Sequence, residues 1–327
     1  MTISRIGVGI ITHRRPEMFT DLLDSFVRMQ HPDGAELIFL IVENDKSKTL
    51  EATIDAFRAN AGAPVIYELE QTPGIPHARN KVLDLAVRQG CDFMTFVDDD
   101  EFVDKDWLVK MIAAMQTRAL DLAGGPIRQV PETHDLGYWQ KRLMEVTDSA
   151  LKKRHHQRLN AFKNNMDRHL NIYTHNWCVR LSAVLKYNLG FDPDFVWSGG
   201  EDTKFCNDLR NAGGMVGWVP DTCVTETVPI KRLTIRYYYK RTRDLTILGQ
   251  QFKPLPRRKL ALKVFKRSTE AVLATLAIPF KGPSYFLKAI RKLALSVGIA
   301  MVLVGRKSNH YKATSTQGQR LKVVSKI

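Results

Sequence analysis

Asp92 to Glu101 reads DFMTFVDDDE, an apolar run of aromatic and β-branched residues that ends abruptly in four carboxylates. Short runs of this composition bounded by polar turns are strands. Open α/β sheets hold their ligands at the carboxyl ends of such strands. Several carboxylates on one loop repel one another unless a hard cation offsets them, and Mg²⁺ or Mn²⁺ held by one or two carboxylates fills its shell with substrate phosphate oxygens. Taken alone, the triplet reads equally well as a solvated turn, with Asp104 capping the helix that follows.

Working outward, Arg5 to Thr12 (RIGVGIIT), Glu36 to Glu43 (ELIFLIVE) and Pro64 to Leu69 repeat the strand pattern upstream. Helical periodicity separates them. Pro16 opens one helix, with Phe19, Leu22, Leu23, Phe26 and Val27 on a shared face, and Lys81 to Val87 continues another from the Gly74-Ile75-Pro76 turn. Strands alternating with helices predict βαβ units and a mostly parallel sheet. Downstream, Glu132 to Leu170 is polar and helical and reads as an insertion across one end of the sheet. Ile172 to Leu181 returns as a strand, and Glu201 to Ala212 is a helix stopped by Gly213-Gly214.

Polar residues gather at the same sheet edge. Thr12-His13-Arg14-Arg15-Pro16 ends the first strand, Glu43-Asn44-Asp45 the second, and Asp98 to Glu101 the fourth. Gln71 to Asn80 (QTPGIPHARN) supplies a turn and a helix start, with Arg79 placed for an anion. Each has a plainer reading, in which Asp45 caps a helix, Arg79 pairs on the surface and Thr12 is a strand-end hydroxyl. About a hundred residues beyond the acidic triplet comes Trp197-Ser198-Gly199-Gly200-Glu201-Asp202. Its glycines let backbone approach a ligand, while its acids face a site or simply complement a helix dipole.

The ordered string I-T-H-R-R-P, E-N-D, P-G-I-P-H-A-R-N, F-V-D-D-D-E, A-G-G-P, W-S-G-G-E-D over Ile3 to Val228 resembles the family-2 inverting glycosyltransferases of GT-A fold. Within them it is most similar to bacterial exopolysaccharide enzymes of the succinoglycan type. The resemblance implies an α/β, Rossmann-like, mostly parallel sheet flanked by helices, with a nucleotide-sugar half over residues 1–127 and an acceptor half over 128–228. It implies nucleotide contacts from Thr12, Arg14, Glu43, Asp45, Arg79 and Asp98. Asp98 and Asp100 become the D-x-D pair on Mn²⁺ or Mg²⁺, and Asp202 the base that deprotonates the acceptor. Trp177, Trp197, Gly199, Gly200 and Glu201 become acceptor contacts, although Trp177 reads equally as sheet core. Arg241 and Arg243 reach the diphosphate. Two departures stand out. Val224-Thr225-Glu226-Thr227-Val228 carries a carboxylate or hydroxyl where relatives often place a metal-binding histidine, and Tyr239 to Asp244 (YKRTRD) lacks the Q-x-x-R-W of processive synthases, which implies one sugar per acceptor. The implied donor is a nucleotide sugar, most often a UDP-sugar, and the implied acceptor a lipid-linked glycan. Against this stand a sugar-1-phosphate nucleotidyltransferase, for which no Gly-rich triphosphate loop follows the first strand, and a degenerate non-catalytic scaffold.

Charge divides the chain of 327 residues. Residues 1–227 hold 26 basic and 32 acidic residues, net −6, whereas 228–327 hold 23 basic and two acidic, Asp244 and Glu270, net +21. This second stretch reads as a basic helical extension over 229–327, punctuated by Pro254, Pro256, Pro279 and Pro283. Arg257 to Arg267 and Phe280 to Leu295 interleave cations with large apolar residues, as interfacial helices on anionic lipid do. No zinc module, RRM signature or helix-turn-helix pattern accompanies the charge, which argues against nucleic acid. Four cysteines without C-x-x-C spacing and no signal-peptide pattern predict a reduced, cytosolic chain, peripheral on the cytoplasmic face of the inner membrane.

Overall fold

The computed structural model describes residues 4–196, 198–252 and 254–306. The apolar runs become strands β1 (Ser4–Thr12), β2 (Ala35–Glu43), β3 (Val65–Leu69) and β4 (Phe93–Asp98), all parallel to one another. They form one side of a seven-stranded sheet in the order β3-β2-β1-β4-β8-β6-β9, completed by β6 (Leu122–Gly124), β8 (Trp177–Arg180) and β9 (Val216–Trp218). β8 runs antiparallel to both β4 and β6. It is shorter than the predicted Ile172 to Leu181, because the chain turns through a 3₁₀ segment over Thr174–Asn176 before pairing.

Period-two side chains sort the sheet onto two cores. Leu37, Phe39 and Ile41 of β2 face one core, and Ile38, Leu40 and Val42 face the other. The first core takes α1 (Pro16–Val27), α2 (Glu51–Arg58) and α4 (Trp107–Thr117) through Phe19, Leu22, Phe26, Ile54 and Met111. Val27, expected on the buried face of α1, is 43% exposed at the end of the helix. The second core takes α3 (Ile75–Arg88), α6 (Leu181–Lys186) and α7 (Glu201–Asn211). Close approach of α3 to β1 requires a glycine: a Cβ at Gly9 would lie 2.7 Å from Val82 Cγ1 and 2.8 Å from the Thr95 carbonyl oxygen. Asp104 does not cap α4. Asp106 stands at the N-cap without a side-chain bond, and Asp104 contributes its carbonyl oxygen to the Trp107 amide instead.

A three-stranded sheet, β5-β10-β7, is built from β5 (Glu101–Val103), β7 (Ile127–Pro131) and β10 (Val224–Val228). Three-residue strands such as β5 carry too little pattern to be read from sequence.

The chain divides into two compact units, Met1–Val130 with Asp148–Val196 and Glu201–Thr227, and Pro131–Thr147 with Trp197–Gly200 and Val228–Ile327. The second therefore takes more than the extension from 229. Leu136 and Leu143, the latter on α5 (Tyr138–Lys163), bury themselves with Val228, Leu233 and Leu287, so the start of the polar insertion belongs to this helical unit. The unit also contains α8 (Ile235–Phe252), α9 (Arg257–Leu276), α10 (Ile278–Lys281) and α11 (Pro283–Leu303). Gly298 lets α11 pack directly on α8, where an added Cβ would meet the Arg243 carbonyl oxygen at 2.8 Å. Glu270 ties α9 to α11 by accepting from Lys292, and Ser268 and Ser296 bond at 2.8 Å. The predicted interfacial stretch Phe280 to Leu295 is thereby corrected, since Leu287, Ala289 and Ala294 are buried as packing residues of α11.

Candidate active site

Register brings the strand ends together: Thr12 pairs with Glu43 across β1 and β2, and Ile11 pairs with Asp98 across β1 and β4. Within E-N-D the three side chains do different work. Glu43 is fully buried and accepts from the Thr49 amide at 2.9 Å, the Thr49 hydroxyl and the Tyr67 hydroxyl, so it fixes the strand end and is not a nucleotide contact. Burial and that carboxylate drive the Tyr67 phenol far up. Asn44 bonds the Glu70 and Thr72 carbonyls and the Gly74 amide, shaping the loop before α3. Asp45 takes both nitrogens of Arg14, at 2.6 and 2.9 Å, and that pairing lowers its carboxyl to about 2. Arg14 is held in the left-handed region at φ +55°.

Thr12 also proves internal. Its hydroxyl donates to Asp99 at 3.0 Å and it is 2% exposed, so it braces the acidic loop and offers no free hydroxyl to a nucleotide. Asp99 points inward and is raised by burial, against the pull of Arg15. Arg15 donates to Asp99 at 2.8 Å and to Asp100 at 2.9 Å. Sequence reasoning gave Arg15 no role, although it follows Arg14 directly. Of the D-x-D pair, Asp98 is partly exposed and Asp100 is buried. Glu101 accepts from the Asp98 amide at 2.8 Å and pairs across the ladder with Glu226. Burial, reinforced by Asp98 and Glu226, raises Glu101 well above the usual range. At the expected histidine position, Glu226 accepts from Gln129 at 2.6 Å, and the Thr227 amide bonds the Asp100 carbonyl at 2.8 Å.

Arg79 connects the two acidic clusters. It is 5% exposed and donates to Asp98 at 3.0 Å and to Glu201. It is therefore an internal bridge, not a nucleotide contact open to solvent, and Glu201 is its buried partner, not a contact for the acceptor. Both corrections share one cause, that buried ions are tolerated only when paired. Asp202 lies next along α7, with Oδ1 accepting from the Thr203 amide at 2.6 Å, and among the described residues none bonds its other oxygen. Burial raises Asp202 and Glu201, while Arg79 pulls both back. Asn80 holds the loop leading toward this helix by bonding both the amide and the carbonyl of Phe191 at 2.7 Å.

Trp177 is fully buried against Phe96, Phe191 and Phe205, which settles it as sheet core with no ring face for a sugar. Trp197 lies outside the described residues. Gly199 and Gly200 precede α7 with φ +73° and +98°, and a Cβ at Gly200 would strike Phe252 at 2.8 Å. Arg243 of α8 is bound by Asp244 of the same helix at 2.8 Å, which leaves it committed there, and Arg241 is exposed.

His175 was missed, its motif having been read for the tryptophan alone. It stacks on Tyr173, and burial lowers it to about 4 despite the field of Asp98. It lines a cleft of about 40 Å³ with Arg154, His155, Arg158 and Trp218. A larger hollow of about 380 Å³ between α4 and β9 contains none of the D-D-D-E or E-D residues. Among the described residues, no group of three or more His, Cys, Asp or Glu side chains is arranged to hold a metal ion. Asp98 and Asp100 are hard oxygen donors that suit a cation whose shell is completed by substrate phosphate, and they do not form an all-protein cage.

A strand-end acid cluster joined to a second acid pair on a mostly parallel sheet defines a GT-A glycosyltransferase. Residues 7–184 match the family "Glycosyl transferase family 2", and the chain belongs to that family. It is 30% identical over 236 residues to the succinoglycan biosynthesis protein ExoM of Rhizobium meliloti (strain 1021), covering 72% of this chain and 71% of that protein. Among solved structures it is similar to the mannosyltransferase PcManGT from Pyrobaculum calidifontis in complex with GDP-Man and Mn²⁺, with TM-score 0.51, 16% identity and coverage of 99% and 81%. It is also similar to S. aureus TarS 1–349 in complex with UDP, with TM-score 0.51, 15% identity and coverage of 92% of each chain. The chain spans 55% of the longer TarS. Membership closes the nucleotidyltransferase reading.

Proposed function

We propose that this glycosyltransferase moves a single sugar, with inversion, from a UDP-sugar to a lipid-linked glycan in exopolysaccharide synthesis. The observation that carries the reading is Arg79 bonded to Asp98 and Glu201 at once, which makes clusters a hundred residues apart a single site with Asp202 beside it. Asp202 takes the proton of the acceptor hydroxyl through the oxygen that Thr203 does not hold. The acceptor oxygen then attacks the anomeric carbon, the bond from that carbon to the phosphate oxygen breaks, and the nucleoside diphosphate leaves from the opposite face. A carboxyl raised by burial suits a general base better than a solvated one, because it holds the abstracted proton more strongly. Asp98 and Asp100 would hold Mn²⁺ or Mg²⁺, which offsets charge on the departing diphosphate. Arg14 and Asp45, locked to each other at the end of β1 and β2, present the surface for base and ribose.

ExoM by its name, and PcManGT and TarS by the GDP-Man, Mn²⁺ and UDP of their complexes, support a nucleotide-sugar donor, a divalent cation and an exopolysaccharide product. The net +21 of residues 228–327 supports work at an anionic surface, which we assign to the cytoplasmic face of the inner membrane.

Calorimetric titration of UDP, with GDP, CDP and ATP as controls and with or without Mn²⁺, tests the reading. UDP is expected to bind only with the metal. Binding of none of the four would overturn it, and binding of another nucleotide alone would replace the donor class.

A further inference from the structure

Among the described residues, the helical unit leaves one face of α9 unpartnered. Leu262, Phe265, Val272, Leu273 and Leu276, with Phe280 on α10, are between 58% and 89% exposed. Their spacing by three and four residues, with Thr269 in the gap, sets them along a single side of the helix. The opposite side is already occupied, since Leu260, Ala271 and Ala274 are buried and Ser268 and Glu270 bond α11. Folding therefore does not use the outer stripe. A continuous row of large apolar side chains in water marks an interaction surface.

Charge identifies the occupant. Arg258, Lys259, Lys263 and Lys266 are exposed on the first half of α9, and Lys281 follows Phe280. The helix carries a single acid, Glu270, which is held by Arg267 and Lys292. Apolar residues on one face with cations around them match the headgroup and acyl boundary of an anionic bilayer, where interfacial helices lie in the plane with their apolar side immersed. Among the described residues no helix is long and apolar enough to cross a membrane. We propose that the outer face of α9, continued by Phe280, inserts into the interfacial layer of an anionic membrane, with the α9 lysines on lipid phosphates and α11 as the rigid backing. This deepens the membrane-surface reading above and rests on it for the kind of partner, but not for the choice of helix.

The test uses the full chain and vesicles of phosphatidylcholine with and without phosphatidylglycerol. Wild type is expected to co-sediment with the anionic vesicles only. Phe265→Trp should show a blue-shifted emission on adding them and quenching by brominated lipid. Phe265→Glu combined with Phe280→Glu should weaken binding by roughly tenfold or more. Both positions are solvent-exposed, and Mn²⁺-dependent UDP binding, measured alongside, reports that the variants are folded. Wild-type-like vesicle binding by the double variant would overturn the assignment of α9. So would a wild-type dimer, seen by light scattering, that the double variant dissolves while lipid binding stays unchanged, since the stripe would then be covered by a second copy. Loss of UDP binding in wild type would instead sink the donor reading and leave this one standing.

Discussion

Asp202 has one oxygen held by the Thr203 amide and hydroxyl, and no described protein group bonds the other. Asp202→Asn keeps the size and the acceptor for the Thr203 amide while removing the base. Transfer should fall by ~10²–10⁴-fold while UDP affinity changes little, as single-turnover assays and calorimetry would register. Near-normal turnover would remove Asp202 from the mechanism. Burial raises this carboxyl, so the acid limb of kcat/KM should stand above the ordinary aspartate value of about 3.9. A limb at or below that value would show a base that is solvated when it acts. The D-D-D-E and E-D motifs stood out in the sequence because they end an apolar strand and open a helix where other strand ends also turn polar. Which of the polar residues at this edge face inward was not legible, because that depends on which elements pack against one another and not on local period. Thr12, Asp99 and Glu201 turned out to be braces for that reason.

At the scale of elements, the pairing of β5 with β10 sets Glu101 opposite Glu226. Two ionised carboxylates opposite each other on a ladder destabilise it, and burial already raises Glu101. A carboxyl with a raised folded value prefers its proton in the folded state. The stability it supports is whole below the unfolded value of about 4.3 and is lost as pH rises through the folded value. Glu101→Gln keeps the acceptor for the Asp98 amide and has no proton to lose. Its stability advantage over wild type in urea should therefore grow as pH is raised from 5 toward 8, by up to about 1.4 kcal/mol per pH unit. A constant difference across that range would place a proton-independent contact at Glu101. The three-residue strands that create this pairing could not have been seen in the sequence, whereas β1 to β4, each an unbroken apolar run between polar turns, could.

For the whole molecule, the helical unit is a packed body and not a detachable tail. α11 lies against α8 at Gly298, and Leu143 of α5 shares a core with Leu287. Deleting residues 255–327 would strip α9, α10 and α11 from α8 and bare that core. The truncated chain is expected to aggregate on expression, as size-exclusion chromatography would show. Exposed substitutions on the α9 stripe should instead leave stability within about 0.5 kcal/mol, measured by urea unfolding. A monomeric, folded truncation would mean that the first unit and α8 are self-sufficient.

The amino-acid sequence by itself determined the parallel half of the sheet, the gathering of polar and acidic residues at its carboxyl edge and the confinement of the net positive charge to the last hundred residues. Each is written in local period or composition. Only the tertiary structure decided that Arg79 is a buried bridge between Asp98 and Glu201, that Trp177 is core, and that α9 rather than α11 leaves its apolar face to solvent. These depend on which surfaces meet, and residues 79, 98 and 201 become neighbours only when α3, β4 and α7 pack on a single sheet.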